Sequence, residues 1–148
     1  MGWLDSLRGS IVAVDSAPFI YLIEEHPSFL PIVEQFFAAV ESGSIHYVTS
    51  SITITEVLVH PYRQNRHDLV ARYRSILSTS SDVAVYPVVS DIADSAARLR
   101  AAHNLRTPDA IQLATALMAK ATAFLTNDYR LSKLPEINVV TMADAAAP

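Results

Sequence analysis

Asp15, Glu56, Asp109 and Asp128 are the residues whose type and setting could do chemistry. Asp15 ends the apolar run IVAVD, and Asp128 follows the run AFLT in the segment TNDYR. Asp109 falls in the first turn of a helix opened by Thr107-Pro108-Asp109. Glu56 is the lone charged residue between Glu41 and His60, flanked by Ile54, Val57 and Leu58. A carboxylate in such apolar company needs a partner. Clustered carboxylates without cysteine suit a hard cation, Mg²⁺ or Mn²⁺, which takes oxygen ligands. Each acid also has a plain structural role open to it. Asp15 can cap the next helix, Asp109 can serve the helix dipole, and Asp128 can form a turn. Glu56 can pair with Arg98 or Arg106. One metal site accounts for all four acids together.

The elements that must position these acids follow from periodicity. Ile11–Asp15, Ile45–Thr49, Val83–Val88, Ala123–Thr126 and Ile137–Thr141 are short apolar runs and read as strands. Pro18–Glu25 reads as a helix. In Phe29–Ser42, apolar residues recur at helical spacing until Gly43. Ser51–His60 is expected to be helical and to end at Pro61, although its Ile, Thr and Val content favours a strand. Arg66–Leu77 is amphipathic. Asp91–His103 is expected behind a Ser90 cap, and Thr107–Lys120 behind a Thr107 cap. The end MADAAAP reads as a short Ala-rich tract. Strands alternating with helices imply an α/β protein, a three-layer sandwich around a central parallel sheet. In such sheets ligands bind beyond the carboxyl ends of the strands, where Asp15 and Asp128 fall.

Composition narrows the function classes. The chain has 148 residues, 51% of them hydrophobic and 18% charged, which excludes a disordered chain and fits one domain over 1–148. With three glycines there is no phosphate-cradling glycine loop, and no Gly-x-Ser-x-Gly elbow occurs. No two of the five histidines stand three or four residues apart, so a helical zinc motif is absent. Lys plus Arg is 11 and Asp plus Glu is 15, for a net charge of −4. With the four acids set aside the remainder is neutral, so overall acidity does not oppose a polyanionic substrate. Without a membrane span or an apolar leader, the protein is expected in the cytoplasm.

VDSAPFIYLIE around Asp15, SSITITEVLVHP around Glu56, LRTPDAIQLATAL around Asp109 and FLTNDYRL around Asp128 together resemble the PIN domain family. The resemblance is closer to its VapC-type toxin ribonucleases and covers nearly the whole chain. It implies a Rossmann-like α/β/α sandwich and a Mg²⁺- or Mn²⁺-dependent endoribonuclease. It also implies a homodimer and a cognate antitoxin. Carried over by position, Asp15 and Asp109 would be the principal metal ligands, with Glu56 and Asp128 completing the site. Ser16, Thr126 and Asn127 would support the acids. The family usually has a small polar residue two places after the first Asp; here Ala17 stands there, followed by Pro18.

The mechanism implied is hydrolysis of RNA by a metal-activated water, leaving 5′-phosphate and 3′-hydroxyl ends. Arg106 and Arg130, each within three residues of an acid, are candidate RNA contacts. Arg63, Arg66, Arg72 and Arg74 could form a second basic strip or the solvated face of a helix. Other readings are a PIN ribonuclease of RNA processing outside toxin–antitoxin systems, and a PIN scaffold that binds RNA or protein without cutting. A haloacid-dehalogenase-like phosphatase is disfavoured, because Asp15-Ser16-Ala17 lacks the second Asp that such enzymes need.

Overall fold

Five parallel strands form the centre of the molecule: β1 (Ile11–Val14), β2 (His46–Ser50), β3 (Val83–Tyr86), β4 (Ala123–Thr126) and β5 (Asn138–Thr141). The computed structural model describes residues 2–78 and 83–147. The end residues of the expected 1–148 domain therefore lie outside the described residues. Strand order is β3-β2-β1-β4-β5. The chain moves outward from β1 through β2 to β3, then returns to place β4 on the other side of β1. The order thus reverses between β1 and β4, which is where open α/β sheets bind ligands. Val14 pairs with Leu125 in that register, so Asp15 and Thr126 come level at the strand ends.

Seven α-helices cover the sheet among the described residues. They are α1 (Ser16–Ile23), α2 (Leu30–Glu41), α3 (Ile52–Arg63), α4 (His67–Ser78), α5 (Ser90–His103), α6 (Thr107–Met118) and α7 (Met142–Ala146). Alternation along β1 divides the core into two layers. Val12 and Val14 join Phe19, Val33, Phe36, Val57, Tyr73 and Met142 on one face. Ala13 joins Ile92, Leu99, Leu113 and Phe124 on the other, beneath α5 and α6. Strands buried on both faces must be apolar throughout, which is why IVAV and AFLT read as plain apolar runs. The aromatics of the first two helices divide. Phe19 and Phe36 are fully buried, whereas Tyr21 lies tilted against His26 and stacks on Phe29.

Several boundaries differ from those expected. α1 begins at Ser16, two residues before Pro18, because Asp15 caps it. α3 runs through Pro61 to Arg63. A proline removes one amide donor, and this close to the helix end only one bond is lost. Ser90 and Thr107 are the first helical residues rather than caps; neither helix has a side-chain cap bond. The strand expected over Val83–Val88 stops at Tyr86. The Ala-rich end is helical over Met142–Ala146, because the Thr141 hydroxyl accepts from the Asp144 amide at 3.1 Å and Met142 is buried. Gly43 does end α2's segment, with φ of +82°, a conformation glycine adopts without strain.

Candidate active site

A cleft of about 590 Å³ opens at the carboxyl ends of β1 and β4. Asp15, Glu56, Asp109 and Asp128 all line it, with Ser16, Ala17, Tyr21, Arg106, Thr126, Asn127, Tyr129 and Arg130 among their neighbours. The acids arrive from four places. Asp15 leaves β1, Glu56 lies on α3, Asp109 opens α6, and Asp128 caps the short 3-10 turn Tyr129–Lys133.

Asp15 is held by neutral donors. Its Oδ1 accepts from the Ser16 amide at 2.8 Å, and its Oδ2 accepts from the Thr126 hydroxyl at 2.7 Å. It therefore does cap a helix, while presenting the same carboxylate to the cleft. Burial pushes its pKa up to about 6; the hydrogen bonds oppose this, and the charges of Glu56 and Asp109 add to it. The Ser16 hydroxyl donates to Glu56 Oε1 at 2.6 Å, so one residue, through its amide and its hydroxyl, joins the first two acids. Glu56 is paired with neither arginine suggested by the sequence. Arg98 pairs with Asp94 at 3.0 Å, and Arg106 with Asp109.

Asp109 is buried, and the Arg106 guanidinium reaches it through Nε at 2.9 Å. Asp128 accepts from the Arg130 amide at 3.0 Å and from its guanidinium Nη2 at 2.6 Å. Those bonds from Arg130 hold the Asp128 carboxyl below the usual range. Thr126 ties the two ends together. Its hydroxyl donates to Asp15 and accepts from the Asp128 amide at 3.1 Å. Asn127 turns elsewhere: its Nδ2 donates to the Tyr21 hydroxyl at 2.5 Å, on the cleft wall. The basic strip behind Pro61 does not line the cleft. Within it Arg66 is paired with Asp68 at 2.9 Å, and Arg74 with the Tyr62 hydroxyl at 2.5 Å.

Beneath the acids runs a buried polar chain that sequence reasoning missed. Gln112 Nε2 donates to the Thr53 hydroxyl at 2.7 Å, Thr53 meets Thr49 at 2.7 Å, and Thr49 donates to the Val14 carbonyl at 2.7 Å. It locks α6 and α3 to β2 and β1. The available signal was Gln112 itself, an amide among apolar residues one turn after Asp109.

The donor set is chemically right for a hard divalent cation: four carboxylates, with a hydroxyl and an amide bracing Asp15, and no thiol. Asp15 carries charge against two other acids with only neutral hydrogen-bond donors, which a cation would relieve. Among the described residues, no three His, Asp or Glu side chains stand together closely enough to hold one ion as they are placed. Two of the four acids are turned to arginines.

Comparisons with known proteins agree with this architecture. The VapBC2 complex of Rickettsia felis, solved on a DNA fragment from its promoter, matches with a TM-score of 0.69 and 14% identity, over 88% of this chain and 98% of that one. A toxin–antitoxin complex from Klebsiella pneumoniae matches with a TM-score of 0.67 and 26% identity, over 88% and 97%. VapC20 of Mycobacterium tuberculosis, described as a sarcin–ricin loop cleaving toxin, matches with a TM-score of 0.68 and 17% identity, over 86% and 98%. No curated protein sequence matches the chain. The family model for the PIN domain matches residues 12–137, most of the chain and all four acids, so the chain belongs to the PIN domain family.

Proposed function

We propose that this chain is a Mg²⁺- or Mn²⁺-dependent endoribonuclease, the toxin of a toxin–antitoxin pair. The observation that carries the proposal is the convergence of Asp15, Glu56, Asp109 and Asp128 on one cleft, at the reversal of strand order, in a PIN domain chain. The similarity to the Klebsiella pneumoniae complex, at 26% identity, supports the toxin reading. An antitoxin partner and a homodimer belong to the same proposal.

Asp15 and Asp109 would be the principal ligands of the cation, with Glu56 and Asp128 completing the site. The cation supplies a nucleophilic water at neutral pH and offsets charge on the phosphate. The protein's own groups do the positioning. Thr126 fixes one oxygen of Asp15 and the backbone of Asp128. Ser16 fixes Glu56 relative to Asp15. Arg106 and Arg130 stand at the same cleft, available to phosphate oxygens.

A second reading, a binding scaffold without cleavage, draws on the arginines paired to two of the acids. One experiment separates the two readings. Total RNA is incubated with the protein in Mn²⁺ or in EDTA, and the ends are mapped. Nuclease action is expected in Mn²⁺ alone, abolished in Asp109→Asn, with 5′-phosphate and 3′-hydroxyl products. Cleavage that persists in EDTA, or products with 2′,3′-cyclic phosphates, would exclude the proposed chemistry. No cleavage at all, with RNA binding retained, would favour the scaffold.

A further inference from the structure

The four acids of the cleft fall into two kinds. Asp15 and Glu56 accept from neutral groups, the Ser16 amide and hydroxyl and the Thr126 hydroxyl. Asp109 and Asp128 accept from guanidinium groups. Arg106 reaches both oxygens of Asp109, at 2.9 and 3.4 Å, and Arg130 reaches both oxygens of Asp128, at 2.6 to 3.2 Å. The Asp109 and Asp128 side chains are 11% and 21% exposed, against 67% and 66% for their arginines. Each acid is thus sunk in the cleft wall while its arginine reaches it from the solvent side. The two cations offset half the charge of the four acids, and they take up oxygens that a metal ion would need.

We propose that Arg106 and Arg130 are exchangeable counter-ions. Each holds one acid in the metal-free protein, yields it when a divalent cation binds, and then contacts an RNA phosphate at the cleft rim. This rests on the metal-dependent nuclease reading and deepens it. A guanidinium and a divalent ion compete for the same carboxylate oxygens, so both cannot hold them fully. The guanidinium ends of both pairs lie in solvent, so each arginine can leave its acid without itself being buried unpaired. A freed guanidinium has the planar fork that matches phosphate oxygens. The exchange also accounts for acids that share a cleft without three of them meeting closely enough to hold an ion.

The contrary account is that Arg106 is a fixed strut that orients Asp109 for the metal. The two differ in sign. If Arg106 competes, its removal tightens metal binding; if it orients, its removal weakens metal binding. The test is calorimetric titration of the whole chain with Mn²⁺ alone, for wild type, Arg106→Gln and Arg106→Lys. Binding of a short fluorescein-labelled oligouridylate in Ca²⁺ is measured alongside. Arg106→Gln is expected to bind Mn²⁺ about tenfold more tightly, because a repelling charge leaves the site. It is expected to bind the oligouridylate more weakly, while Arg106→Lys, which keeps the charge but not the planar fork, binds Mn²⁺ near wild type and the oligouridylate between the other two. Unchanged or weaker Mn²⁺ binding by Arg106→Gln would overturn the exchange and leave the metal site standing. Undiminished oligouridylate binding would remove the phosphate role. Absence of Mn²⁺ binding in all three chains would overturn the metal-site reading, and the exchange with it. The thermal midpoint of each variant reports whether it is folded.

Discussion

Asp15 receives hydrogen bonds from the Thr126 hydroxyl and the Ser16 amide, both neutral, while Glu56 and Asp109 repel its charge. Burial and that repulsion raise its pKa from 3.8 to about 6. A folded pKa above the unfolded one means that the folded state binds the proton more tightly. Ionised Asp15 therefore costs stability above about pH 6, and the cost vanishes below about pH 4. Asparagine keeps an acceptor for the Ser16 amide and removes the charge. Asp15→Asn is expected to stabilise the metal-free protein by roughly 1–3 kcal/mol at pH 7.5, and by almost nothing at pH 4. Urea unfolding at the two pH values measures this. A variant no more stable than wild type at pH 7.5 would mean that Asp15 bears no uncompensated charge. Ser16 and Thr126 act at the same scale: Ser16 joins Asp15 and Glu56 through its amide and its hydroxyl, and the Thr126 hydroxyl joins Asp15 to the Asp128 backbone.

The helices bring distant carboxylates to one place, and the Gln112–Thr53–Thr49 chain holds those helices at the right depth. All three side chains are buried. Gln112→Leu leaves the Thr53 hydroxyl without its amide donor, which costs about 1–3 kcal/mol. For a domain of this size that lowers the melting temperature by roughly 3–10 °C. An unchanged melting temperature would show that α6 is held by apolar packing alone. This chain was not legible in the sequence, because Gln112 and Thr53 are 59 positions apart and nothing local pairs them. The same holds for Tyr21 and Asn127, 106 positions apart. What was legible had a local cause. Parallel strands covered on both faces must be apolar, so IVAV and AFLT stood out, and an acid just after such a run falls at the sheet's carboxyl edge. Helix ends are less legible. A proline suits the first turn of a helix, so Pro18 does not mark the start of α1, and α3 continues only two residues past Pro61. α7 was missed because Ala-rich sequence says little until Met142 is seated in the core and Thr141 caps the turn.

For the whole molecule, the net charge of −4 is matched by the four acids of the cleft alone, and the remaining charged residues balance. The Arg63–Arg74 strip does not line the cleft, so under the proposed function an RNA at the cleft would meet Arg106 and Arg130 rather than that strip. No helix of the described residues is long and apolar enough to cross a membrane. The proposed function requires a divalent ion site at the reversal of the sheet, and thermal unfolding with and without Mn²⁺ tests it without knowledge of the RNA. At ten times its dissociation constant, Mn²⁺ is expected to stabilise the wild type by about 1.4 kcal/mol, a rise of roughly 3–5 °C. In Asp109→Asn the rise is expected to disappear. An equal rise in Asp109→Asn, or none in the wild type at millimolar Mn²⁺, would contradict a divalent ion site at these acids.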